Sequence, residues 1–225
     1  MEYLKFILYG LIQGLTEFIP VSSTAHLKVL SLFFGIDDPG HSLSAIIQIG
    51  SVLALLFYFR KDVFNLRRQY SKRFFRHILH ESLLMSILIG TIPIIFFGGI
   101  LKLFAPYFFD NILRSNLSIA LVSIIMAIFM FIADNSKKGS INLKNHKYTD
   151  SFLIGLSQAF AVIPGVSRSG VTISTALISG WEKNDAAKFS FLLGIPAISL
   201  AAIVEFISTF NEFYSISFFP LIVCL

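Results

Sequence analysis

Two short polar segments interrupt an otherwise apolar chain, and each carries side chains that could act on a phosphate. The first, residues 13–26, contains Gln13, Glu17, Ser23 and His26. Gln13 and Glu17 are four residues apart, so they share one face of a helix. A carboxylate within an apolar segment is costly, which makes Glu17 a functional candidate. His26 could exchange a proton near neutral pH.

The second segment, residues 164–172, carries Arg168, the one charged residue between positions 151 and 181. Its guanidinium group suits the oxygens of a phosphate, and a helix N-terminus beside it would favour an anion. Three neighbouring hydroxyl groups could add donors: Ser167, Ser169 and Thr172. An ion pair between Arg168 and Glu17 is the alternative interpretation of this charge.

A carboxylate, a histidine, hydroxyl groups and an anion-binding segment together favour phosphoryl transfer, which depends on positioning and charge neutralisation. Ser22 and Ser23 could also serve only as helix caps. The Gly-x-x-x-x-Gly-Lys pattern of nucleotide-binding loops does not occur in the sequence. Phosphate esters inside a bilayer belong to lipids, so the sequence indicates a lipid phosphate or diphosphate as substrate.

The composition places these segments in a membrane protein. Of the 225 residues, 55% are hydrophobic and 14% are charged, and the mean hydropathy is +0.77. A typical soluble domain carries about 25% charged residues. These values exclude a disordered chain, a disulfide scaffold and a soluble enzyme. The single cysteine, Cys224, excludes an internal disulfide and a cysteine-based zinc site.

Apolar runs predict an all-α, polytopic fold. Helices long enough to cross a bilayer, or nearly so, are expected over residues 42–59, 82–101, 115–133 and 189–204. Residues 213–225 begin a further helix that is incomplete at 13 residues. Seven Lys and Arg in 60–76 and four Lys in 134–150 predict cytoplasmic loops, and 102–114 is then external. The basic runs therefore reflect membrane topology, and no nucleic-acid partner is expected.

Residues 4–35 and 151–180 do not fit single spans, because Pro20 and Pro164 break each of them near the middle. Two half-helices that enter and leave on one side fit better, and such re-entrant hairpins must line a cavity inside the protein.

The two hairpins align without gaps at an offset of 145, which places Gln13 on Gln158 and Ser22 on Ser167. With the loop charges, this predicts one transmembrane domain, 1–225, built as an inverted-topology repeat of about 1–110 and about 151–225. Chance similarity between apolar hairpins is the alternative.

These motifs resemble the signatures of the bacterial undecaprenyl-diphosphate phosphatase family, also called bacitracin-resistance proteins. The resemblance rests on Gln13-x-x-x-Glu17, on the run from Pro20 to His26 and on the run from Pro164 to Thr172. It implies a multi-pass enzyme of the bacterial inner membrane that converts undecaprenyl diphosphate to undecaprenyl phosphate, with a site open to the periplasm. This reaction recycles the carrier lipid for peptidoglycan synthesis and confers bacitracin resistance.

The resemblance also implies roles for single residues. Glu17, His26, Ser23 and Arg168 would be catalytic, with Ser23 or water as the nucleophile. Diphosphate-binding side chains would be those of Ser22, Ser167, Arg168, Ser169 and Thr172. A divalent cation, Mg²⁺ or Ca²⁺, would bind Glu17 and Gln13. Two other functions stay open at this point, a polyprenyl-phosphate transporter or flippase and an inactive assembly partner, and a homo-oligomer is compatible with the sequence.

Overall fold

The computed structural model describes residues 2–35, 40–64, 82–105, 107–137 and 139–208. Eight α-helices occur in these ranges: α1 (Glu2–Phe18), α2 (Ser23–Phe34), α3 (Gly40–Tyr58), α4 (Leu83–Phe104), α5 (Asn116–Asp134), α6 (Tyr148–Ala159), α7 (Arg168–Ile178) and α8 (Lys183–Ser208). A π-helix, Phe108–Leu113, precedes α5, and a 3₁₀ turn, Phe160–Val162, follows α6.

All regular elements in the described ranges are helices, and these ranges contain no β-strand, only one isolated bridge between Ile141 and Trp181. Within the described ranges, three helices are long and apolar enough to cross a membrane: Leu83–Leu101, Asn116–Asp134 and Lys183–Glu205. A shorter apolar helix covers Ile47–Tyr58. The all-α, polytopic fold is therefore confirmed.

Four of the described helices are preceded by a serine that caps them. The serine side chain accepts a hydrogen bond from the backbone N–H three residues later. Ser22 caps α2 and Ser167 caps α7, accepting from Ala25 and Gly170 respectively. Ser82 and Ser115 cap α4 and α5 in the same way. Each cap satisfies an amide that would otherwise lack a partner at the start of a helix.

The main core forms where α3, α6 and α8 meet the end of α7. Its largest buried side chains are Trp181 and Phe189, whose ring centroids lie 5.1 Å apart. His146 packs against both rings and hydrogen-bonds through Nε2 to Ser86 Oγ at 2.7 Å. This cluster fixes the loop before α6 against α4 and α8, and so fixes the second hairpin.

The helix α8 extends beyond its apolar sequence. The helix covers Lys183–Ser208, whereas the predicted span was 189–204. Polar contacts hold the additional turn at the start of the helix. Asp185 accepts a hydrogen bond from the Leu143 amide at 3.0 Å, and Lys188 pairs with Asp62 at 2.7 Å. Hydropathy alone does not detect a helical end that polar contacts hold in place.

Two predicted features concern residues that the structure does not describe. The incomplete helix over 213–225 and most of the basic loop 60–76 lie outside the described residues. The division into repeats of about 1–110 and about 151–225 stays a prediction.

Helices α4 and α6 cross with almost no side chain between them. A Cβ added to Gly155 would collide with the backbone of Gly90, so the two glycines allow the backbones to touch. Close crossings of this kind are how small residues stabilise helix pairs in membranes. The crossing carries α6 into the second hairpin and therefore helps to set the position of its break.

Gly155→Ala is expected to lower the thermal unfolding temperature of the detergent-purified protein by several degrees, because the new methyl group must push α4 away from α6. Gly99→Ala is the matched control, since a Cβ there meets nothing within 4 Å. Equal unfolding temperatures for the two variants would show that the crossing is not close.

Candidate active site

The breaks of the two hairpins lie at one cavity of about 150 Å³. Its polar lining comes from Thr16, Glu17, Ser23, Thr24, Gln48, Ser167, Arg168 and Ser169. Its apolar lining comes from Val21, Ile94, Ala161, Val166, Ala197, Ile198 and Ala201. A small set of polar groups in an apolar wall is typical of a binding site.

Glu17 is the centre of the hydrogen bonds at the first break. It lies one residue before the end of α1, and its Oε2 accepts from Gln13 Nε2 at 3.0 Å and from Ser23 Oγ at 3.2 Å. The first bond follows from the four-residue spacing on α1. The second joins α1 to the first residue of α2, across the break.

The second break places Arg168 at the first position of α7. Gly165 has a φ of 100°, a conformation that glycine adopts without strain and other residues rarely adopt. A side chain there would also press on the Ile119 carbonyl and on Val122 of α5. This tight turn lets the chain reverse within a few residues, so that Ser167 can cap α7 and Arg168 can follow it.

Arg168 and Glu17 join the two hairpins. Arg168 Nη2 lies 3.4 Å from Glu17 Oε1, and the two side chains are only 9% and 12% exposed. A second link is the hydrogen bond that Ser169 Oγ donates to the Ile19 carbonyl at 3.4 Å. Residues about 150 positions apart in sequence therefore share one site, and the ion pair considered as an alternative is present.

The ion pair does not use all the donors of Arg168. Its Nη1 donates to the Ser190 carbonyl at 3.1 Å, which anchors the guanidinium on α8. Its Nε is buried and has no hydrogen-bond partner within the described ranges. A buried, unpaired donor on a cation is unfavourable unless a ligand accepts from it. The arrangement can therefore accept an anion without first losing the Glu17 contact.

Four predicted site residues are not among those that line the cavity. Gln13 reaches the site through Glu17, and Ser22 uses its hydroxyl to cap α2. Thr172 is fully buried and bonds to the Arg168 carbonyl at 2.8 Å and Ser190 Oγ at 2.6 Å. Thr172 thus supports the helix that carries Arg168.

His26, the fourth, lies one turn into α2. Its Nδ1 lies 2.7 Å from the Ser22 carbonyl oxygen. Because a carbonyl oxygen only accepts, Nδ1 carries the proton, and Nε2 is the basic atom of the neutral ring.

The described residues contain no cluster of three or more His, Cys, Asp or Glu side chains that could hold a metal ion by themselves. Among the residues that the structure describes, Glu17 is the one carboxylate that lines the cavity. A single carboxylate with substrate phosphates is nevertheless a common way to bind Mg²⁺. Glu17 therefore fits a cation that arrives with a diphosphate, whereas Gln13 contacts Glu17 from outside the cavity lining.

The structure adds residues that the sequence did not point to: Thr16 and Gln48 in the lining, and Ser190 beneath Arg168. A signal existed for Gln48, which is an amide within the apolar run 42–59. Polar side chains inside a membrane span tend to be functional. The sequence does not indicate the contact between Ser190 and Arg168, because this contact uses the backbone carbonyl, which every residue has.

Comparison with known proteins decides the family. The family model described as bacitracin resistance protein BacA matches residues 6–224, which is nearly the whole chain. The chain belongs to the BacA family. Both helix breaks, with Glu17 and Arg168, lie inside the matched region.

Relatives of this BacA-family chain carry one name. A Prochlorococcus marinus (strain MIT 9312) protein named undecaprenyl-diphosphatase is 77% identical over 224 residues, covering 100% of this chain and 84% of the relative. A protein of the same name from strain MIT 9301 is 72% identical over 225 residues, with 100% and 85% covered. A more distant one, from strain MIT 9303, is 45% identical over 217 residues, with 95% and 74% covered.

Proposed function

We propose that this chain hydrolyses undecaprenyl diphosphate to undecaprenyl phosphate and inorganic phosphate. The observation that carries the proposal is the cavity in which Arg168 and Glu17 meet from the two helix breaks. It is supported by membership of the BacA family and by relatives named undecaprenyl-diphosphatase. The reaction would recycle the carrier lipid for peptidoglycan synthesis and confer bacitracin resistance.

Arg168 binds the diphosphate. Its unpaired Nε donates to a phosphate oxygen, while the bond from Nη1 to Ser190 holds the guanidinium in place. Ser167 and Ser169 lie beside it at the N-terminus of α7, where the helix dipole also favours an anion. These groups neutralise charge on the phosphates and orient the terminal phosphorus for attack.

Glu17, with Gln13, would hold the divalent cation. The cation would supply additional charge neutralisation on the oxygens of the diphosphate when bound. The Glu17 carboxylate also accepts the hydroxyl hydrogen of Ser23 and is in place to take that proton. His26, whose basic atom is Nε2, would carry the proton onward from outside the cavity lining.

Ser23 is the nucleophile. Its hydroxyl lines the cavity and directs its hydrogen at Glu17, which leaves its lone pairs free for phosphorus. Ser23→Ala is expected to lower kcat by roughly 10³-fold, because the activated hydroxyl is lost. The measurement is phosphate release, together with acid-quenched trapping of label from a substrate labelled at the terminal phosphate. Unchanged turnover in Ser23→Ala would assign the first attack to water instead.

The multi-pass chain lies in the bacterial inner membrane with the site open to the periplasm. Support comes from the basic segments 60–76 and 134–150, which the positive-inside rule assigns to the cytoplasm. The transporter hypothesis draws no support from the relatives cited, since each is named a diphosphatase.

The test is product analysis with the purified chain in detergent, with a divalent ion and with a chelator. Equal amounts of undecaprenyl phosphate and inorganic phosphate, formed only with the ion, are expected. Recovery of intact undecaprenyl diphosphate from a well-folded sample would contradict the proposal. Uptake of the intact lipid by proteoliposomes would then favour the transporter.

A further inference from the structure

Gln48 on α3 lines the same cavity as Glu17 and Arg168 but makes none of the contacts between them. Its Oε1 is buried and has no hydrogen-bond partner within the described part of the chain. A buried amide oxygen without a partner is costly, so a ligand or water is expected to satisfy it.

Two of the residues that line the cavity thus each carry a buried, unpaired polar atom, and the two atoms have opposite character. Arg168 Nε is a donor with a positive charge, and Gln48 Oε1 is an acceptor. An anionic phosphate oxygen has no hydrogen to donate, so it satisfies Arg168 but not Gln48. The acceptor requires either a cation or a group that carries a hydrogen, and water is the simplest group of the second kind.

The cavity has room for this water beside other occupants. Its volume of about 150 Å³ compares with on the order of 10–15 Å³ for one water on a similar measure. Its polar wall supplies further partners, among them Thr24 and the Ser23 hydroxyl. Water is therefore stable there, unlike in a purely apolar cavity.

We propose that Gln48 holds, through Oε1, the water that attacks phosphorus during hydrolysis. This inference rests on the proposed diphosphatase function. Hydrolysis needs one such water even when Ser23 makes the first attack, because the phosphoserine must then be cleaved. An amide oxygen that orients the attacking water is a known device of phosphoryl transfer.

The step balances in both routes. The water oxygen forms a bond to phosphorus, and the bond from phosphorus to the leaving oxygen breaks. In direct hydrolysis the leaving group is undecaprenyl phosphate; from phosphoserine it is the Ser23 oxygen, which regains a proton. The proton released by the water passes to that leaving oxygen or to Glu17, and no other reactant is needed.

The test compares Gln48→Leu with Ser51→Ala. Leucine keeps the bulk of Gln48 but removes the acceptor, so kcat should fall at least about 30-fold while KM stays within about twofold. The unfolding temperature should not fall, because no protein partner is lost. Ser51 lies one turn further along α3, and its hydroxyl is likewise buried without a described partner, but it does not line the cavity. Ser51→Ala should retain kcat.

Two results would overturn the inference: kcat retained in Gln48→Leu, or a fall in kcat accompanied by at least tenfold weaker Mn²⁺ binding. The second would make Gln48 a cation ligand instead of a water ligand. Arg168→Ala is assayed in parallel. If it turns over normally, the proposed diphosphate site itself fails. If it is inactive while Gln48→Leu is normal, only the role of Gln48 fails.

Discussion

Arg168→Ala is expected to lower kcat/KM for undecaprenyl diphosphate by roughly 10³-fold or more, because charge neutralisation supplies most of the catalysis in phosphoryl transfer. Arg168 is the cation at the second helix break, and no other Lys or Arg lines the cavity in the described structure. Each factor of ten corresponds to about 1.4 kcal/mol of transition-state stabilisation. Phosphate release from purified enzyme at saturating and limiting substrate measures the loss.

Arg60→Ala is the control for this variant. Arg60 is exposed, donates to the Phe57 carbonyl and lies over the Phe57 ring, away from the cavity. Its removal should leave kcat/KM within about twofold, as for a surface charge. Turnover in Arg168→Ala above about a tenth of the parent rate would count against an anion-binding role.

Glu17→Gln is expected to lower kcat by roughly 10²- to 10³-fold, a typical loss for a proton acceptor or cation ligand. Glutamine keeps the size of the side chain but loses the charge that faces Arg168 and the basicity needed to take the proton of Ser23. The apparent affinity for the activating divalent ion should fall in parallel. The measurement is phosphate release over a titration of that ion.

Asp62→Asn is the matched control, because Asp62 also pairs with a cation, Lys188, but outside the cavity. This variant should keep its kcat and its response to the divalent ion. If Glu17→Gln keeps most of its activity and the same ion dependence, Glu17 is a structural partner of Arg168 only.

The sequence was most informative where the signal is local. Pro20 and Pro164 interrupt helices through their own chemistry, and both hairpins turn close to them. The four-residue spacing of Gln13 and Glu17 is also a local property, and the two side chains do bond. Serine caps at Ser22 and Ser167 follow from the same kind of short-range rule.

Tertiary contacts were harder to anticipate. Thr172 was expected to face the substrate, yet Ser190 on another helix takes up its hydroxyl. Gln48 lies 28 positions after Pro20 and enters the site only because α3 packs against α8. Arg168 can bind a phosphate and pair with Glu17 at the same time, because its guanidinium group has enough donors for both.

The most direct test of the central claim, that the two helix breaks form one diphosphate site, is equilibrium binding of a non-hydrolysable polyprenyl diphosphonate. Without a divalent ion, Arg168→Ala should bind it at least tenfold more weakly than the parent. Glu17→Gln should bind it as tightly or more tightly, since a negative charge beside the phosphates is removed. Equal affinity of parent and Arg168→Ala would contradict the claim.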